Sequence, residues 1–277
     1  MWIKLKAKTR TQLVCSEEHQ KFLKALKRDR IRVMLLRLSI LVILIGLWEV
    51  AAELRWIDPF IMSSPSRIVK TIASLYQDGV LFMHIGVTLW ETVAGFTLGT
   101  LLGVGIAIVL WWSPMVARTM DPYLVVLNSL PKIALGPVII IWVGAGEGAI
   151  ITMALLISVI VTVLSVLNGF LEVSEEKIML MRTFGATRLQ ILKMVILPSS
   201  IPSIISALKI NVGMTWVGVI VGEYLVSKAG LGYLIVYGGQ VFKLDLVMAS
   251  ILVLAVVAAL MYIGVAYLEK RYIQKQK

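Results

Sequence analysis

Residues 174–198 read SEEKIMLMRTFGATRLQILKMVILP, a charged, helix-patterned stretch between the strongly apolar runs 148–171 and 198–226. Ser174 stands where a helix N-cap belongs, and Glu175 and Glu176 then fall in the first turn, where negative charge suits the helix dipole. Gly185 interrupts the pattern and RLQILKMVI resumes it as far as Pro198, so the stretch reads as helix, turn and helix. On pattern alone two readings stay open: a hairpin that merely closes the fold, and a handle for a partner.

The surroundings of this stretch decide the class of fold. With 59% hydrophobic residues, 16% charged residues and a mean hydropathy of +0.90, the 277-residue chain does not suit a water-soluble core. It reads as an all-α, polytopic membrane protein. Residues 92–117, 148–171 and 246–268 are uncharged and exceed the roughly 20 helical residues that cross a bilayer. Residues 33–52, 119–142 and 198–226 carry a few charges but are otherwise apolar, which brings the expected total to about six spans. Pro122, Pro131 and Pro137 are expected to interrupt the span at 119–142, with Asn128 and Lys132 adding polarity there.

Orientation follows from the basic residues. With the N-terminus placed in the cytoplasm, 20 of the 27 Lys and Arg fall on that side and five on the other. Both termini and residues 174–198 are then expected to be cytoplasmic, and the net charge of +11 meets anionic membrane lipid rather than nucleic acid. Residues 1–32 read as a solvated basic segment that is too charged for a cleavable signal peptide, residues 33–268 as one membrane domain, and residues 269–277 as a basic tail. The lone Cys15 cannot form an internal disulfide.

Several smaller features carry local expectations. Ser64 and Pro65 mark the start of a short helix, and Gly95, Gly99 and Gly103 line one helix face with small residues that let another backbone approach. Glu91, Asn128, Lys132, Trp216 and Glu223 are the candidates to border a solute pathway. Glu91, Lys132, Lys209 and Glu223 lie nearest membrane depth and are expected to face the bundle, to pair, or to sit near an interface, since an isolated charge there is costly. Gly230, Gly232, Gly238 and Gly239 suit a loop of tight turns. The sequence has no GxxxxGK[S/T] phosphate loop, no HExxH and no paired Cys ligands. His19 and His84 fall on opposite sides of the expected membrane, so no covalent chemistry is assigned to the chain.

Gly185, Leu197 and Pro198, with Val195 in place of an isoleucine, resemble the cytoplasmic signature of inner-membrane permease subunits in binding-protein-dependent ABC importers. SSPSRIV from residue 63, MHIGVTLWETVAGFTLG from 83, LPKIALGPVIIIWVGAGE from 130, LPSSIPSIISALKINVGMTWVGVIVGE from 197 and GLGYLI from 230 are similar to the nitrate, sulfonate and taurine branch. The resemblance covers residues 63–271. Two positions depart from it: Met179-Leu180-Met181 stands where the signature begins Glu-Ala-Ala, and Glu91 stands where many relatives carry a basic residue. The resemblance implies a type I importer permease that moves a small solute inward by alternating access; an ion-coupled secondary transporter is the competing reading. It implies a second permease copy, most simply an identical one, two cytoplasmic ATP-binding subunits that hold ATP-Mg, and an extracytoplasmic binding protein or lipoprotein. No cofactor is implied for the chain itself. Glu175, Glu176, Arg182, Gly185, Ala186, Leu197 and Pro198 are the residues expected to couple it to the ATPase, in the cytoplasmic membrane of a prokaryote.

Overall fold

A computed structural model describes the backbone of residues 17–275 and the side chains of residues 22–267; Cys15, the His19 side chain and the side chains of the basic tail lie outside that description. The chain folds as two compact units, Met1–Pro59 and Phe60–Lys277. Within the first, α1 (Glu17–Glu53) is continuous. Residues 17–32 of the expected basic segment are helical, as no Gly or Pro occurs before Gly46 to end the helix.

The short α2 (Pro59–Met62) precedes the second unit's first substantial helix, α3 (Pro65–Gln77). As expected, Ser64 caps α3, its hydroxyl accepting from the Arg67 amide with Pro65 in the first turn. The other end of the unit receives α3 through Asp245: Ser63 Oγ donates to Oδ1 at 2.7 Å, and Arg67 Nε and Nη2 donate to Oδ2 at 3.0 and 2.7 Å.

The long α4 (Leu81–Trp112) starts eleven residues before the expected span and ends earlier, at the Ser113-Pro114 start of α5 (Pro114–Ser129). Pro122 lies inside α5 without ending it. The break comes at Leu130, which is extended (φ −64, ψ 137) because the following Pro131 disfavours the helical region. A 3-10 turn (Lys132–Leu135) and α6 (Gly136–Val143) follow at 86° to α5, so the third expected span is a bent pair.

The apolar α7 (Glu147–Leu171) is the centre of the second unit, packed against both α4 and α10 (Leu197–Val226), which also touch each other. Between them in sequence lie α8 (Glu175–Thr183), α9 (Arg188–Ile191) and a π-helical turn (Leu192–Ile196); α11 (Leu231–Gln240) and α12 (Leu244–Lys275) complete the unit. Among the described residues, five helices are long and apolar enough to cross a membrane, six with the bent pair.

The glycine face of α4 does what its spacing predicts. A Cβ at Gly95 would stand 2.9 Å from the Ala154 Cβ, one at Gly99 would strike the Ser158 hydroxyl, and one at Gly103 would stand 2.6 Å from Thr162. Ala154, Ser158 and Thr162 share the four-residue spacing on α7, so two small faces meet. α10 approaches α7 the same way, with Gly218 and Gly222 against the backbone of Ala154 and Ile150.

Candidate functional site

Glu175 and Glu176 occupy the first turn of α8, although the Ser174 side chain makes no cap bond to it. The helix ends in a complete Schellman turn: Ala186 N–H donates to Met181 O at 3.0 Å, and Gly185 N–H to Arg182 O at 2.9 Å. Closing that turn requires a left-handed residue, and Gly185 supplies it at φ +76. Thr187 then starts α9 with a capping box, its amide donating to Gln190 Oε1 at 2.7 Å while its Oγ1 accepts from the Gln190 amide.

Pro198 does not stop the second helix. The chain passes from α9 through the π turn into α10 as one rod, with Leu197 N–H donating back five residues to Leu192 O. A proline in a regular α-helix clashes with the carbonyl four residues before it and lacks the N–H to bond it; the wider π turn relieves both. The α8–α9 hairpin is thereby continuous with α10. Ile191, Leu192 and Ile196 are buried with Ala107 of α4, Val166 and Phe170 of α7, and Val173, and Ile178, Met181 and Ala186 pack against that cluster. Arg188 adds a tie, Nη1 donating to Trp112 O at the end of α4 at 2.8 Å.

The outer side of the hairpin is differently composed. Met179, Leu180 and Phe184 are 69%, 57% and 77% exposed beside Glu175, Glu176 and Arg182. Glu175, Glu176, Ile178, Met179 and Arg182 border a cavity of about 450 Å³. The seven expected coupling residues thus fall into two groups. Glu175, Glu176 and Arg182 are exposed at the cavity, while Gly185, Ala186, Leu197 and Pro198 shape the turn and the rod.

At the other end of α10 the segment expected as a loop of tight turns is mostly helix, with Gly232, Gly238 and Gly239 inside α11, and its start closes around a buried polar cluster. Gly230 (φ +111) opens α11, and four successive backbone amides there find acceptors on other helices. Gly230 N–H donates to His84 Nδ1 at 3.0 Å, Leu231 N–H to Thr88 Oγ1 at 2.7 Å, and Gly232 and Tyr233 N–H to Glu223 Oε2 at 2.5 and 3.3 Å. Helix starts leave such amides orphaned, and three side chains of α4 and α10 satisfy them here. Gly230 and Gly232 are required sterically as well, because a Cβ at either position would run into the Glu223 carboxylate. His84 also stacks on Tyr233, ring centroids 6.1 Å apart. No pattern in the sequence marks His84 and Thr88 for this role, because the amides they accept lie 146 and 143 residues away.

Glu91 of α4 and Glu223 of α10 are both buried in the bundle, Glu223 in this cluster and Glu91 three residues beyond Thr88. Of the alternatives expected for charges near membrane depth, facing the bundle describes these two. Trp216 is buried on α10, below Glu223. Asn128 and Lys132 lie instead at the bend after α5, where Lys132 Nζ donates to Asn128 O at 3.0 Å.

No cluster of three or more His, Cys, Asp or Glu suited to a metal occurs among the described residues. The family described as binding-protein-dependent transport system inner membrane component matches residues 95–274. The taurine transport system permease protein TauC of Escherichia coli is 28% identical over 245 residues, covering 87% of this chain and 89% of TauC. The putative aliphatic sulfonates transport permease protein SsuC of Bacillus subtilis is 29% identical, covering 84% of each. In three dimensions the chain resembles a subunit of a bacterial ABC transporter for import of the acidic polysaccharide alginate, with a TM-score of 0.64 at 16% identity over 91% of this chain and 99% of that one. An all-α membrane fold, its central helices and the family match agree, and the chain belongs to the inner-membrane permease components of binding-protein-dependent ABC transport systems.

Proposed function

We propose that this permease couples to separate ATP-binding subunits through the α8–α9 hairpin and carries a small solute inward by alternating access. The observation that carries the reading is the hairpin itself. Exposed Met179, Leu180 and Phe184 stand beside Glu175, Glu176 and Arg182, on a turn that continues without a break into α10. Apolar side chains on a polar turn suit a protein cleft better than water. A rod joining that turn to the membrane bundle gives a partner's closure something to move. The acidity that the absent Glu-Ala-Ala would bring comes from Glu175 and Glu176.

ATP and Mg²⁺ belong to the partner on this reading, and the chain itself performs no covalent chemistry. It works in the cytoplasmic membrane of a prokaryote, both termini inside, with a second copy of itself and an extracytoplasmic binding protein or lipoprotein. The permease relatives named for taurine and aliphatic sulfonates support a sulfonate, related oxyanion or small organic nutrient as solute. Asn128 and Lys132, polar at an apolar bend, are the better residues to meet it; Glu91, Trp216 and Glu223 are buried in the bundle.

The test replaces Met179, Leu180 and Phe184 with serine in the full chain and asks whether the ATPase subunit still co-purifies. Loss of the ATPase, with the permease still folded in the membrane, is the expected result. Undiminished co-purification and ATP-driven uptake in sealed vesicles would overturn the assignment of the hairpin. Uptake driven by an ion gradient without nucleotide would return the secondary-transporter reading.

A further inference from the structure

Among the described residues of the second unit, two that are not glycine have a left-handed backbone, Ser63 (φ +57) and Phe242 (φ +55), and both lie about Asp245. Ser63 Oγ donates to the Asp245 carboxylate, and Phe242 lines a cavity of about 350 Å³ with Asp245, Phe60, Arg67 and Lys243. Phe242 closes α11 in a Schellman turn, in which Lys243 N–H donates to Gly238 O at 2.8 Å and Phe242 N–H to Gly239 O at 3.3 Å. Glycine is the usual residue at that position, as Gly185 is in the α8–α9 hairpin. A phenylalanine there strains the backbone, yet its ring is 70% exposed and gains little packing in return. Strain of this kind is characteristic of ligand clamps.

We propose that this cavity holds an anionic phospholipid, its phosphate on Lys243 and its glycerol and first methylenes between the Phe60 and Phe242 rings. Charge and depth select that ligand. Asp245 takes the Arg67 guanidinium at 2.7 Å, so this pair is neutral as a whole. Lys243 is exposed and forms no ion pair among the described residues, which leaves the cavity one positive charge. The apolar span of α12 begins at Leu244, beside Lys243, so the cavity lies where lipid headgroups meet hydrocarbon. Two exposed aromatic rings around a lysine at that depth match an amphiphile with an anionic head. A lipid seated there touches both α2 and the α11–α12 turn, and so reinforces the tie that Asp245 makes between α3 and α12. The inference rests on α12 as a membrane span and not on the proposed coupling to an ATPase.

The test places the full-length protein in phosphatidylcholine vesicles doped with phosphatidylglycerol that is photoactivatable at its first acyl carbons, and maps the crosslinks by peptide mass spectrometry. Wild type should be labelled at Phe60 and at residues 242–246. Lys243→Ala should be labelled there about fivefold less and Lys243→Arg as wild type, while labelling of the exposed Leu252 and Val256 of α12 stays the same in all three. Phe242→Gly should lose the label at Phe60 and yet have a higher Tm than wild type in lipid-free detergent, because glycine releases the left-handed strain. Undiminished labelling of Lys243→Ala or of Phe242→Gly would overturn the proposal. A Phe242→Gly variant less stable than wild type without lipid would overturn it too, since the ring would then serve the fold. Competition by water-soluble sn-glycerol 3-phosphate as effective as that by unlabelled phosphatidylglycerol would overturn it in favour of a site for free oxyanions.

Discussion

Gly185 offers the sharpest test of how the hairpin is built. A Cβ there would meet nothing within 4 Å, so space does not demand glycine; the backbone does, at φ +76. An L-residue in the left-handed region costs about 1–2 kcal/mol, and asparagine tolerates it better than alanine or valine. Gly185→Ala should therefore favour opening of the turn about 5–30-fold, Gly185→Val more, and Gly185→Asn least. The reporter is the Ala186 amide, which donates to Met181 O only while the turn is closed. Its hydrogen exchange, measured on peptides spanning residues 180–190, should rise in that order. ATP-driven uptake should fall in the same order. If Gly185→Asn proves as damaging to uptake as Gly185→Val while leaving Ala186 protected, the backbone argument is wrong, and the glycine is needed because no side chain fits against the partner.

Other consequences are simpler to check. Gly99→Ala should destabilise the α4–α7 contact by about 1–3 kcal/mol in a thermal melt, and Ser158→Ala should restore part of that loss by removing the hydroxyl the new methyl would strike. Asp245→Ala removes the acceptor of Ser63 and the two-pronged acceptor of Arg67, so α3 should become more accessible to limited proteolysis, at a cost of about 1–3 kcal/mol. Gly232→Ala should be among the most damaging single changes to the unit, since the added methyl displaces the Glu223 carboxylate from α11; a Tm within about a degree of wild type would refute the cap.

Much of the local grammar could be read directly. Ser64-Pro65 marked a helix start, Gly185 a turn, and the 95, 99, 103 spacing a close helix contact, because each rests on neighbours within a few residues. Where expectation and structure part, a second element had intervened. Pro198 reads as a stop but lies within a continuous rod through the π turn, and of the three prolines expected to interrupt the span at 119–142, Pro131 does so while Pro122 stays inside α5. Gly218 and Gly222 carry the same spacing as the α4 glycines, but inside an apolar run that spacing alone does not separate a packed face from a lipid-facing one.

The amino-acid sequence by itself determined that this chain is a helical membrane protein with a charged hairpin between two spans, since bilayer thickness and turn chemistry act on contiguous residues. Tertiary structure alone decided which apolar faces meet, because facing lipid and facing a neighbouring helix call for the same side chains. It alone also set His84, Thr88 and Glu223 around the first turn of α11. Their contacts join residues as many as 146 positions apart, a distance at which no local pattern carries a signal.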